Sequence, residues 1–136
     1  MLGKRKIRKN VFGLVFGYEF NKGTDYKQYY TDAYDNFCCD DDENESVKTA
    51  FFGICENIEV IDDIISKNLK GWAISRISNV SLSILRLSVY EMKYTDLPHP
   101  ISINEAVELA KEYGEDGSAS YINGVLNSIS KNALSE

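Results

Sequence analysis

Five positive side chains, Lys4, Arg5, Lys6, Arg8 and Lys9, fall within the first nine residues, with no acidic residue among them. Cations at that density neutralise phosphates, and Phe16 and Tyr18 follow closely enough to offer unpaired bases a stacking surface. Those rings equally suit a helix core. Catalytic chemistry has far less to work with. His99, between Pro98 and Pro100, is the single histidine, so neither a Ser-His-Asp nor a Cys-His arrangement can be assembled around a second one. Asp40-Asp41-Asp42-Glu43 lacks the spaced oxygens and the glycine of a calcium loop. Gly114–Gly117 lacks the lysine and the length of a phosphate loop. The sequence therefore predicts a binding protein with no enzymatic activity, no cofactor and no metal site.

Composition sets the frame for that arm. The chain has 136 residues, 43% hydrophobic and 26% charged, the balance of one ordinary globular domain over residues 1–136. Its net charge of −6 is uneven. Beyond Lys9 there are 10 basic against 21 acidic side chains, so most of the surface should repel a polyanion and any nucleic-acid contact must be local. No window holds the run of about 18 uncharged apolar residues that a membrane span needs. Asn10, Gly13, Gly17 and Glu19 interrupt any signal-peptide core. Cys38, Cys39 and Cys55 have no CxxC spacing and read as reduced thiols of a cytoplasmic protein.

The elements that must carry the arm are all helical. Ile7, Val11, Leu14, Val15 and Tyr18 form the apolar stripe of a helix over 4–20. Lysine and arginine in its first turns oppose the helix dipole, so local stability does not explain them. An aromatic-rich helix is expected over 26–37 and a solvated loop over Asp40–Asn44, which also places negative charge at the next helix start, where the dipole favours it. Val47, Phe51, Ile54, Ile58, Ile61 and Ile65 alternate at spacings of 4 and 3, predicting one helix over 46–66 with a coiled-coil-like seam. Trp72 should pack where helical bundles meet. Residues 80–94 are apolar nearly all round and predict the central helix. Arg86 within it needs a carboxylate, with Glu91 and Glu105 as candidates. Pro98 and Pro100 predict an extended link, Ser102 with Glu105 a capping box for a helix from Ile103, and Gly114 its C-cap. A last helix is expected over 119–131. Asn104 and Asn123 should satisfy buried backbone groups, and Gly124 should mark a close approach of another chain segment.

Three segments together resemble the NusB family. They are Lys4-Arg5-Lys6-Ile7-Arg8 through Tyr18-Glu19-Phe20, Leu69-Lys70-Gly71-Trp72 through Val80 and Ile84–Glu91, and Ile103-Asn104-Glu105-Ala106 through Tyr121-Ile122-Asn123-Gly124-Val125-Leu126. They keep the family's order and spacing over nearly the whole chain. The resemblance implies an all-α fold of two small helical bundles packed across each other. It also implies an RNA-binding antitermination adaptor that takes boxA-type single-stranded RNA together with the ribosomal protein NusE, within a transcription complex on RNA polymerase. Members of the family occur as monomers and as homodimers. Carried over, the RNA-binding positions are Lys4, Arg5, Lys6, Arg8, Lys9, Phe16 and Tyr121. Ser81, Gly117 and Ser120 depart from the family pattern, the first two where an acidic residue is usual and the third where a basic one is frequent. Those departures leave a second expectation standing, a NusB-fold protein–protein module that has lost specific RNA reading.

Overall fold

The computed structural model describes residues 2–34, 41–69, 71 and 73–134, with residues 2–4, 34, 41 and 42 described by their backbone alone. Cys38, Cys39 and Trp72 lie outside the described residues. Among the described residues seven α-helices follow one another: α1 Leu2–Glu19, α2 Tyr26–Tyr34, α3 Asp41–Glu56, α4 Ile58–Lys67, α5 Asn79–Tyr94, α6 His99–Tyr113 and α7 Ser118–Asn132. A 3-10 turn, Ile74–Arg76, precedes α5. No strand occurs among the described residues. The chain divides into two compact units, residues 1–56 and 57–136.

The first unit is α1, α2 and α3. Val11, Leu14 and Val15 of α1 are buried, as are Val47, Phe51 and Ile54 of α3, and these two helices pack together. Phe51 is the centre of an aromatic cluster. Its ring lies 6.0–6.5 Å from those of Tyr18, Tyr26, Tyr29 and Tyr30, distances at which edge and offset contacts add to simple burial.

The second unit is built on α5. Ten of its sixteen residues are buried, and α4, α6 and α7 all pack against it. Burial on every side forces its polar residues to find partners inside the fold. Arg86 forms a two-pronged pair with Asp62 of α4, Nε to Oδ1 at 2.8 Å and a terminal guanidinium nitrogen to Oδ2 at 2.8 Å. Asp62, on a different helix, is a partner that the candidates Glu91 and Glu105 did not include. Glu91 accepts from Ser102 Oγ at 3.0 Å, which leaves Ser102 Oγ to accept from Ser88 Oγ at 2.8 Å.

Several local expectations change for identifiable reasons. The 46–66 seam is continuous in sequence but not in structure: Asn57 leaves the helical conformation at φ −114° and ψ 18°. Val47, Phe51 and Ile54 serve the core of the first unit, whereas Ile61 and Ile65 serve that of the second. The acidic run is not a loop from Asp41 onward; it forms the first turns of α3, where the dipole favours negative charge. The link is extended at Thr95 and ends at Pro98, so the second proline is not part of it. Pro98 is the N-cap of α6 and Pro100 lies in its first turn, where a missing N–H removes no helical bond. Ser102 is consequently inside the helix, fully buried, and does not cap it. Asn104 and Asn123 are exposed and do not serve buried backbone groups. Gly114 does cap α6, and a Cβ there would collide with Ser118 Oγ and the Ala110 carbonyl.

Leu85 has no exposed surface. Leu85→Ala should therefore lower unfolding free energy by about 2–5 kcal/mol in denaturant titration. Gly124 behaves in the opposite way. A Cβ at that position meets nothing within 4 Å, so the expected close approach is absent and Gly124→Ala should raise stability by about 0.4–1 kcal/mol.

Candidate nucleic-acid interface

The basic arm is the first half of α1. Arg5, Lys6 and Lys9 are exposed and Arg8 is half-buried; of Lys4 only the backbone is described. At 100° per residue, Arg5, Lys9, Phe12, Phe16 and Phe20 succeed one another along a single stripe, with Phe20 just past the helix end. The aromatic part of the stripe rises out of the core. Phe12 is 6% exposed and Phe20 is 63% exposed, with Phe16 half-buried between them. The ring of Phe16 stacks on Phe12 at 6.1 Å and meets Phe20 edge-on at 5.2 Å. Phe20 is the ring that sequence reasoning alone misses, although its spacing of four from Phe16 is visible there.

Lys6 points to the flank of that stripe and reaches Glu43 of α3 at 3.3 Å. The acidic start of α3 thus supplies an internal carboxylate to a cation of the arm. Tyr18, by contrast, turns inward. Its hydroxyl donates to the Thr24 carbonyl at 2.8 Å and its ring joins the Phe51 cluster, so this half-buried side chain is engaged in the packing of the first unit.

Tyr121 belongs to the other unit, in the first turns of α7. It is half-buried, and burial raises the pKa of its phenol above the ordinary value. Gly117 caps α7 at φ 86°, a conformation other residues reach only under strain. Ser81 is 6% exposed. Its N–H is held by Ser78 Oγ at 3.1 Å, so this departure from the family pattern is part of a helix cap inside the fold, not an open contact. Gly117 and Ser120 are exposed. Among the described residues no group of three or more His, Cys, Asp or Glu side chains is placed to hold a metal, and no helix is long and apolar enough to cross a membrane.

Two helical units, one of them presenting cations and rings along one helix face, define a small all-α protein whose candidate site is a surface. A model of the NusB family matches residues 5–131, and the chain belongs to that family. The transcription antitermination protein NusB of a Nitratiruptor species is 38% identical over 131 residues, spanning 96% of this chain and 94% of that protein. The structure of T. maritima NusB matches with a TM-score of 0.87 at 34% identity, covering 96% and 92% of the two chains. A crystal structure of the antitermination factors NusB and NusE in complex with dsRNA matches with a TM-score of 0.83 at 25% identity, covering 96% and 98%.

The aromatic cluster that carries α1 also makes a pH prediction. Desolvation, followed by the hydrogen bond to Glu56 at 3.0 Å, pushes the Tyr26 pKa up to about 12. A folded-state pKa above the unfolded value of 10.0 means that the native state holds this proton more tightly. The associated stability is present below pH 10 and disappears as pH rises toward 12. Tyr26→Phe should make the loss of stability across that window shallower in alkaline unfolding experiments.

Proposed function

We propose that this protein is an RNA-binding transcription antitermination adaptor of the cytoplasm, with residues 1–136 working as one domain and without a catalytic step of its own. The observation that carries the reading is the α1 stripe, where Arg5 and Lys9 lead into Phe16 and Phe20. Charge would capture the strand and rings would stack on its bases. The RNA-binding residues are then Lys4, Arg5, Lys6, Arg8, Lys9, Phe16 and Tyr121. The related complex contains dsRNA; for this chain we favour single-stranded, boxA-type RNA, because only unpaired bases reach stacking surfaces of this kind. NusE, the partner in that related complex, would add surface and affinity here as well, ahead of assembly on RNA polymerase.

A second reading, a NusB-fold protein–protein module, is favoured by one observation: exposed Gly117 and Ser120 place no charge around Tyr121. Salt dependence separates the two. Up to five neutralised phosphates predict a slope of log K against log salt of about −3 to −3.5 for a boxA-like RNA. Lys6→Ala with Arg8→Ala should flatten it by about 1–1.5 units and weaken boxA-like and scrambled RNA alike, since phosphate contacts carry no sequence information. Tyr121→Ala should leave the slope and reduce affinity by about 1–3 kcal/mol. Glu43→Gln should strengthen binding by about two- to five-fold, since RNA no longer displaces the half-buried carboxylate from Lys6. Arm variants that bind RNA as the parent does, at low salt with NusE present, would establish the protein–protein reading instead.

A further inference from the structure

Helices α6 and α7 run antiparallel, joined by the short turn at 114–117, and leave a cleft of roughly 600 Å³ between them. Ile103 and Val107 of α6 supply its apolar wall, and Asn123 and Asn127 of α7 face them. One end is closed by a hydrogen bond of 2.7 Å between His99 Nδ1 and Ser130 Oγ. The other end carries Lys111, whose ammonium lies 3.6 Å from Glu108 in an exposed pair. No carboxylate side chain is among the residues lining the cleft. That sets it apart on this half of the chain, where residues 57–136 hold 11 acidic against 7 basic side chains.

The two asparagines are set in a definite orientation. Asn127 Nδ2 donates to the Asn123 carbonyl at 2.8 Å and to Asn123 Oδ1 at 3.2 Å. A carbonyl can only accept, so Asn127 must turn its NH2 inward and its Oδ1 outward. Asn123 Oδ1 is engaged by the same NH2, which leaves the Asn123 NH2 outward. The result is an acceptor and a donor side by side, both without a hydrogen-bond partner among the described residues. An amide edge of this kind complements the paired donor and acceptor on the edge of a nucleobase. The volume lies in the usual range for a small-ligand site, about 300–1,000 Å³.

From this arrangement we infer that the α6–α7 cleft receives one unpaired base of the bound RNA, read at its edge by Asn123 and Asn127, flanked by Ile103 and Val107, with Lys111 beside its phosphate. The inference rests on the RNA-binding reading above and adds to it a base-specific contact outside the arm. Asn123 and Asn127 are exposed positions within a helix, where alanine is the better helix former, so their replacement leaves the fold intact.

The test uses the full chain and a boxA-like RNA, together with a set of the same RNA made abasic at one position at a time. Asn123→Ala and Asn127→Ala should each weaken the intact RNA by about 5- to 100-fold without changing the salt slope, as expected for a lost base-edge pair. With the RNA abasic at one particular position, variants and parent should bind equally. That positional dependence also separates a base of the strand from a free nucleotide. Asparagine variants that bind like the parent, or a loss that persists at every abasic position, overturn the inference. If the Lys6→Ala, Arg8→Ala variant is weakened in the same experiment, the adaptor reading stands without the cleft. Variants unchanged toward RNA but weakened toward NusE make the cleft a protein-docking surface. A parent that binds none of these RNAs removes both readings together.

Discussion

A guanidinium cannot be left bare in a protein interior, and Arg86 places one in the middle of α5, 5% exposed. Its Asp62 partner fixes the height and rotation of α4 against α5, since a two-pronged pair tolerates little sliding. The serine chain through Ser88, Ser102 and Glu91 does the same for α6. A purely apolar seam would accept neighbouring registers at small cost, whereas breaking either polar contact leaves a desolvated group unsatisfied. The second unit is therefore held in one arrangement by its few buried polar atoms, with hydrophobic burial supplying most of the stability. Ser83 Oγ is the exception, buried with no hydrogen-bond partner among the described residues.

The first unit solves a different problem. Its leading helix must present cations and rings outward while staying attached, and two faces of α1 divide those tasks. Val11, Leu14 and Val15 anchor it over α3, while the neighbouring stripe runs from exposed Arg5 and Lys9 through buried Phe12 to exposed Phe20. The tyrosines of α2 close around Phe51 and give a short helix enough contact to stay in place, because isolated helices shorter than about 12 residues are marginal in water.

Much of this was legible in the sequence, and the failures share a cause. Helix periodicity located α1, α5 and α7 closely, because one-sided or all-round apolar patterns are local properties. The charge pattern drew attention to the arm and the family motifs to Tyr121, the one on the surface of α1 and the other half-buried in α7. What periodicity could not show was which core a residue serves: the spacing from Val47 to Ile65 is unbroken, yet the helix breaks at Asn57. Nor could it find Asp62 for Arg86, since partner choice depends on how separate helices are placed. Ser102 illustrates the same limit. It has the identity and spacing of a cap, but Pro98 starts the helix earlier and packing draws the hydroxyl into the interior. The outward amide edge of Asn123 and Asn127 was likewise invisible, because the i,i+4 bond orienting both side chains has to be seen in three dimensions.

The stripe on α1 also has a length and a direction. At about 1.5 Å per residue, Arg5 to Phe20 spans roughly 22 Å. A strand stacked at about 3.4 Å per nucleotide covers that distance in roughly six or seven steps. Charges occupy one end and rings the other, so a strand laid along the helix meets the two ends unequally. Reversing it exchanges which of its nucleotides are gripped by phosphate and which by base. The helix is thus a ruler with marked ends, able to distinguish 5′-to-3′ from 3′-to-5′ before any individual base is read.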